Sequence, residues 1–373
     1  MNTEEPELRY LLALTRALFQ NPAAQNRVMD AVGSAQEAYQ RRSEITDICP
    51  DLSKKCAQSI ADMEQHLERA DRETDFLKRH GIQALGRNDA DYPARLRDAV
   101  NPPVLLFRLG NADLNAKHIL SVVGSRQCTE YGKTVCERFL GELAEICPDT
   151  LIVSGLAYGI DINAHRAALA HGLPTLGVLA HGLDQIYPRR HADTAREMLE
   201  TGGLLTEYQS GSNADKMNFV ARNRIVAAMA DATLVVETRE KGGSLITTRL
   251  ADEAGRRVFA VPGRMGDEMS TGCNRLIAEG KAEIVLSARQ LVEAMGWQTE
   301  QELSTPIQRT LFIELDNDEQ DIMRCLEPEA EGLTLNQLTQ LTGQAVSTLT
   351  ARLFEMEMKG LVRMVAGSRY VKV

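Results

Sequence analysis

From about residue 118 to residue 286, short aliphatic runs alternate with longer segments whose apolar residues recur at helical spacing. The strand-like runs are 120–124 (LSVVG), 151–154 (LIVS), 175–179 (TLGVL), 204–207 (LLTE), 233–237 (TLVVE), 257–261 (RVFAV) and 283–286 (EIVL). Between them, segment 133–146 places Val135, Phe139, Leu140, Leu143 and Ile146 on one side. Segment 244–254 does the same with Leu245, Ile246, Leu250 and Ala254. This alternation argues for an α/β fold with a doubly wound, mainly parallel sheet. Such sheets bind ligands outside the carboxyl ends of their strands. Most of the unusual residues of this chain fall there.

The remainder sets bounds. A chain of 373 residues holds two or three domains. No run of about 18 apolar residues marks a membrane span, and the acidic start, Met1 to Glu7, lacks the basic and apolar pattern of a secretory signal. The seven cysteines, Cys49, Cys56, Cys128, Cys136, Cys147, Cys273 and Cys325, include no CxxC pair. A reduced, cytoplasmic protein without disulfides or zinc is the expectation. A net charge of −10 argues against a protein that coats duplex DNA, though not against a local basic groove.

Residues 1–80 read as a small helical domain. Leu8, Leu11, Leu12, Leu14 and Leu18 share a helical face. Gln20-Asn21-Pro22 and Val32-Gly33-Ser34 break it, and Cys56, Ile60, Met63 and Leu67 mark a polar helix over 51–79. With no basic cluster, a packing element is favoured over a nucleic-acid module. Val104 to Phe107 reads as a further strand. The core domain is placed at 81–296 and a linker, with Trp297, Pro306 and several acids, at 297–318. Residues 319–373 read as helices at Asp321–Leu326, Thr334–Thr342 and Ser347–Lys359 followed by a hairpin, a winged-helix pattern. From Asp321 onward this tail carries as many acids as bases. A DNA-reading wing needs surplus positive charge, so a protein-contact role is at least as well supported.

Two strand ends offer anion sites. Gly124, Ser125 and Arg126 follow the first core strand, and Gly243 and Ser244 open a helix after the strand TLVVE. Gly132-Lys133-Thr134 resembles the end of a Walker A loop, but Gly124 lies too far upstream for the phosphate nest to close. No GxGxxG is present, and the strand ending Ser154-Gly155 lacks a ribose-binding acid. Asp161 is expected to cap a helix, His165 to pack, and Glu237 to hold an arginine rather than act as a base. The densest signal is Lys216, Phe219, Arg222 and Asn223. Cations hold phosphates and an aromatic ring stacks on a base, the chemistry of single-stranded nucleic acid. The competing reading makes Phe219 core and the arginines surface cover. Tyr187 to His191 adds cations at another strand end. A loose echo of a PGGxGT loop at Gly242-Gly243 keeps open an alternative, a Rossmann-like nucleotide-processing enzyme of the phosphoribohydrolase type.

Taken together, VVGSRQCTEYG, SGLAYGIDINAH, HGLDQIYP, NFVARNRI, VVETREKGGSLITTRLADEAGRRVFAVPG and GCNRLIAEG resemble the DNA-processing protein A (DprA/Smf) family, in order and spacing from about 91 to 286. The resemblance implies an extended Rossmann-like core that binds single-stranded DNA, flanked by a helical domain of SAM or helix-hairpin-helix type and a winged-helix-like domain. It also implies a non-enzymatic, usually homodimeric protein without a cofactor, which protects incoming DNA and loads RecA in natural transformation or recombination. Carried over by position, the DNA-binding residues are Gly124, Ser125, Arg126, Lys216, Phe219, Arg222, Asn223, Gly243 and Ser244. Val220 stands where the family usually has Pro. Ala227-Ala228 replaces a small polar pair, and Ala180-His181 precedes Gly182 where Gly is common. None of these removes a cation or the ring.

Overall fold

The structure, a computed structural model, describes residues 5–297, 316–326, 332–359, 361–365 and 369–372. It divides into two compact units, Met1–Ser304 and Thr305–Val373. In the first, nine strands form one sheet: β1 Gln83–Gly86, β2 Leu105–Gly110, β3 Ile119–Val123, β4 Leu151–Ser154, β5 Thr175–Val178, β6 Gly203–Thr206, β7 Ala232–Val235, β8 Arg257–Ala260 and β9 Glu283–Ile284. Their spatial order is β1-β2-β6-β5-β4-β3-β7-β8-β9. Strands β3 to β9 pair in parallel, as the alternation predicts. The β1–β2 hairpin continues the sheet antiparallel to β6. Strand β1 was not foreseen, because QALG is too short to show a period.

Successive residues of the central strands face opposite layers, as the two-residue period requires. Ile119, Val123, Val153, Leu176, Val178 and Val235 lie in one core, covered by the helices Lys216–Ala228, Ser244–Glu253 and Thr271–Ala278. Leu120, Val122, Ile152, Leu234 and Phe259 lie in the other, under the helices Glu130–Ile146, Ile160–Ala170 and Ala288–Met295. Each such buried side chain contributes roughly 1.5–3 kcal/mol. Strand β3 is flanked by β4 on one side and β7 on the other. The helices that follow β3 and β7 cover opposite faces, so their carboxyl ends part to form the crevice of a topological switch point. No helix among the described residues is long and apolar enough to cross a membrane.

The amino-terminal helices begin and end where the sequence signals them. Asn21 caps Pro22–Val32, its Oδ1 accepting the Ala24 amide at 3.1 Å, and Gly33 ends that helix at φ +85°. The helix expected over 51–79 is interrupted at Asp62, giving Lys54–Ala61, a 3₁₀ turn Met63–His66 and Leu67–His80. Ile60, Met63 and Leu67 are nevertheless all buried. Their spacing reported burial, which a turn can satisfy as well as a continuous helix. These helices share one core with Val104, Leu105 and Phe107 of the β2 region, so they pack on the sheet.

Residues 298–315, most of the expected linker, lie outside the described residues. Trp297 belongs to the first unit, stacked on His118 at 4.5 Å. In the second unit the helices Asn317–Leu326, Leu335–Thr342 and Val346–Met358 enclose Ile322, Leu326, Leu338, Leu349, Leu353 and Met356. A small sheet orders β10 Leu333–Thr334, β12 Arg369–Lys372 and β11 Val362–Val365. At the carboxyl end of the last helix, Lys359 Nζ pairs with the buried Glu319 at 2.5 Å, while Arg352 bridges Asp316 and Asp318. The cations of the third helix segment are thus spent within the unit, in keeping with a tail that lacks surplus positive charge.

Candidate functional site

The switch-point crevice opens into a cavity of about 700 Å³. All nine residues predicted as a site line it: Gly124, Ser125 and Arg126 after β3; Lys216, Phe219, Arg222 and Asn223 on the helix before β7; Gly243 and Ser244 after β7. Three separate chain segments therefore meet in one volume.

The β3 loop is fixed by its neighbours. Ser125 donates its amide to the Glu237 carbonyl at 2.7 Å, and its own carbonyl accepts from the Ile160 amide at 3.0 Å. A Cβ on Gly124 would lie 2.4 Å from Ile160 Cγ1. Gly159 has φ +78°, and a Cβ there would meet the Ser125 carbonyl oxygen at 2.0 Å. Only glycine admits this approach. The Ser125 hydroxyl accepts from the Gln127 amide at 3.1 Å, tightening the turn. Arg126 is left exposed, its guanidinium 5.0 Å from the centre of the Phe219 ring.

Asp215 caps the helix Lys216–Ala228, accepting the Asn218 amide at 2.9 Å. Lys216 stands exposed in its first turn. Phe219 is half-buried, with Arg126 near one side and the Tyr187 ring 5.9 Å away, so it is neither simple core nor simple surface. Arg222 differs from the other cations. It is 3% exposed and donates to the Val178 carbonyl, with Nε 3.3 Å from the Asn223 side-chain oxygen. It forms the floor of the cavity beside Asp161, and both press on Gly155, where a Cβ would fall 2.4 Å from Asp161 Oδ2 and 2.6 Å from Arg222 Nη2. Burial raises the Asp161 pKa, opposed by the nearby Arg222 charge and the Ala157 amide. Asp161 does not cap its helix as expected. Gly159 occupies that position without a side-chain bond, because the tight approach to Ser125 demands glycine there.

At the third segment, Ser244 donates its hydroxyl to Thr238 Oγ1 at 2.7 Å. Gly242 is held close, a Cβ there meeting Thr238 Oγ1 at 2.1 Å, whereas Gly243 borders open space. Arg239 pairs with Glu268 at 3.2 Å. Arg126, Lys216 and Lys241 have no ion pair among the described residues. Glu237 was expected to hold an arginine. It is instead 0% exposed and accepts from Thr129, whose amide lies at 2.9 Å and whose hydroxyl lies at 2.5 Å. It secures the start of the helix after β3 and does not line the cavity. Asp161 is the single acid among the lining residues. His165 packs as expected, between the Gly155 carbonyl at 2.5 Å and Thr175 Oγ1 at 2.7 Å. Burial of the Cys273 thiol pushes its pKa up to about 12, far from a reactive thiolate.

Two features were not found from the sequence. Tyr187 lies against Phe219, a contact that the cations of its loop do not signal. The second is the tie between the β6-to-helix loop and the amino-terminal helices. Gln209 Nε2 donates to the Leu12 carbonyl at 2.8 Å, and Ser210 donates its amide to the buried Glu73 at 2.8 Å. Gln20 Nε2 donates to Asn218 Oδ1 at 3.0 Å. No local periodicity reports contacts between residues so far apart in the chain.

A mostly parallel, doubly wound sheet with a cationic cavity that carries an aromatic ring at its switch point defines a Rossmann-like protein. The model of the DNA recombination-mediator protein A family matches residues 83–296, and that of the DprA winged helix domain matches residues 311–368. Protein Smf of Synechocystis sp. is 32% identical over 329 residues, 79% of this chain and 82% of that protein. DNA processing protein DprA of Streptococcus pneumoniae is 41% identical over 204 residues, 55% and 71% respectively. The X-ray structure of the S. pneumoniae protein superposes with a TM-score of 0.68 at 31% identity, covering 79% of this chain and 98% of that one. A structure of DNA processing protein A from Helicobacter pylori gives 0.52 at 28% identity, covering 57% and 95%. The chain belongs to the DNA recombination-mediator protein A family.

Proposed function

We propose that this protein binds single-stranded DNA in the switch-point cavity, without catalysing a reaction on it. The observation that carries the reading is the placement of Phe219 near both Arg126 and Tyr187, with Lys216 and Lys241 unpaired on the same cavity among the described residues. Cations neutralise phosphates and a ring offers a face to any base, which favours a polymer without fixed sequence. The relative from H. pylori is described by its single-stranded DNA binding mode, which supports the same ligand here. Gly124, Ser125, Arg126, Lys216, Phe219, Arg222, Asn223, Gly243 and Ser244 are the proposed contact set. Within it, Arg126 and Lys216 meet phosphate, Phe219 meets a base, and Arg222 shapes the floor.

In this reading the protein works in the cytoplasm as a homodimer, protects incoming single strands and loads RecA onto them in natural transformation or recombination. The helical region, the core and the winged-helix tail serve as three parts, with the core carrying the DNA. The test is a titration of single-stranded and double-stranded oligonucleotides, with and without RecA. Preferential single-strand binding and faster RecA filament growth on the bound strand are expected. Equal affinity for duplex, or no effect on RecA, counts against the respective claim.

A further inference from the structure

We propose that the bound strand leaves the cavity over a second aromatic step made by Tyr187 and by Tyr158 with Arg190. This rests on the reading of the cavity as a single-strand site and extends it to residues outside the proposed contact set. Tyr187 and Tyr158 belong to the loops that follow β5 and β4, so both stand at the same end of the sheet as Phe219. Tyr187 is 49% exposed and its ring centre is 5.9 Å from that of Phe219. Tyr158 is 40% exposed. Its chain neighbour Gly159 abuts the backbone of Ser125 and Arg126, which places it beside the β3 loop.

A half-exposed tyrosine ring beside a cation offers a face on which a base can stack. These two are not adrift on mobile side chains. The Arg190 guanidinium lies 5.5 Å from the centre of the Tyr158 ring, and His191 meets that ring edge-on at 5.1 Å. His191 is itself buried, its Nδ1 within 2.9 Å of the Leu156 carbonyl oxygen. Arg190 is exposed and has no ion pair among the described residues, whereas Arg196 nearby is paired with Asp193 at 2.9 Å. An unpaired cation at a held ring repeats the pattern of Arg126 at Phe219. The ligand chemistry this suits is an extended single strand whose successive bases stack while its phosphates pass the cations.

The experiment compares oligothymidylates of about 4 and about 16 nucleotides, short and long against usual single-strand sites. The proteins are wild type, Tyr158→Ala, Tyr187→Ala, Tyr158→Phe, Tyr187→Phe and Phe219→Ala. Tyr158→Ala is expected to leave the short oligomer's affinity unchanged and to weaken the long one roughly tenfold, the scale of one lost stacked base, whereas Tyr187→Ala, which also removes the ring beside Phe219, should weaken the long oligomer at least as much and the short one as well. The phenylalanine variants should bind both as wild type, since the ring and not the hydroxyl carries the contact. Photocrosslinking of a long 5-iodouracil oligomer should mark Tyr158 or Tyr187. Wild-type affinity of both alanine variants for the long oligomer, with Phe219→Ala weakened, overturns the second step and leaves the cavity reading standing. If Phe219→Ala also binds both lengths as wild type, the cavity reading falls, and the second step with it.

Discussion

The Arg126 guanidinium stands 5.0 Å from the centre of the Phe219 ring, although the two residues come from the loop after β3 and from the helix before β7. The pair brings together the two components of the proposed single-strand recognition, charge and stacking, at the switch point of the sheet. Their replacements should separate those components. Arg126→Ala removes one phosphate contact, so the slope of log affinity against log salt should flatten by about 0.7. Phe219→Ala should cost about 1–3 kcal/mol of binding at every salt concentration while keeping the slope. Measuring both slopes by fluorescence anisotropy decides the matter; an unchanged slope for Arg126→Ala would place the phosphates elsewhere.

The glycines of the site make a sharper structural contrast. Gly159 combines φ +78° with a would-be Cβ 2.0 Å from the Ser125 carbonyl oxygen, whereas Gly243 has open space around it. Gly159→Ala should destabilise the protein by about 2–3 kcal/mol or more and displace the Arg126 loop. Gly243→Ala should stay within about 0.5 kcal/mol of wild type in urea unfolding. Any loss of DNA binding in the second variant would then report on the cavity itself. Similar unfolding midpoints for the two variants would contradict the loop geometry.

Gln20 adopts φ +59°, uncommon for a residue with a side chain, and donates to Asn218, a 1% exposed residue in the first turn of the helix that carries Phe219. Gln20→Ala loses the hydrogen bond, worth about 1 kcal/mol, and keeps the unfavourable backbone. Gln20→Gly loses the same bond but relieves the backbone, so it should be more stable than the alanine variant by about 1 kcal/mol. Both should weaken single-strand binding without altering its salt slope, because no phosphate contact is removed. A changed slope would mean that Gln20 sits near the DNA.

Acid should act through His165. Burial depresses its pKa to about 4, against roughly 6.5 in an unfolded chain. Above about pH 6.5 both states hold it neutral. As pH falls from there toward 4, the unfolded state takes up the proton first, and stability drops by about 1.4 kcal/mol per unit. Between pH 7 and 5 the wild type should therefore lose about 2 kcal/mol more than His165→Asn, measured from urea midpoints. Asp161 and Glu207, whose pKa values burial raises, act in the opposite sense but are present in both proteins and cancel in the comparison. Parallel pH profiles would show that His165 is not held neutral.

The parallel core was legible because each central strand is buried on both faces and reads as an unbroken aliphatic run. That the nine proposed residues share one cavity was legible in part because five of them follow strands β3 and β7, at the ends where the fold class places ligands. What stayed hidden has a common physical cause. Strand β1 carries too few residues for a period. Glu237 looked available because its partner Thr129 sits on another crossover, and Arg222 looked like Arg126 although one is buried and the other exposed. Phe219 and Arg222, three residues apart on one helix, both line the cavity, but spacing does not reveal depth. Tyr187 escaped notice because a single ring in a loop acquires meaning only from the ring it meets.

The contacts between the first helices and the loop before Lys216 also have a consequence in time. Gln209 meets Leu12 across 197 residues of chain. At a synthesis rate of about 5–20 residues per second, Leu12 is made about 10–40 s before Gln209 exists. Glu73, buried in the finished protein, precedes Ser210 by 137 residues and so waits about 7–27 s for it. The helix Lys216–Ala228 receives its contact from Gln20 only once it too has been made, and a nascent chain holds no finished cavity until most of that unit has been made.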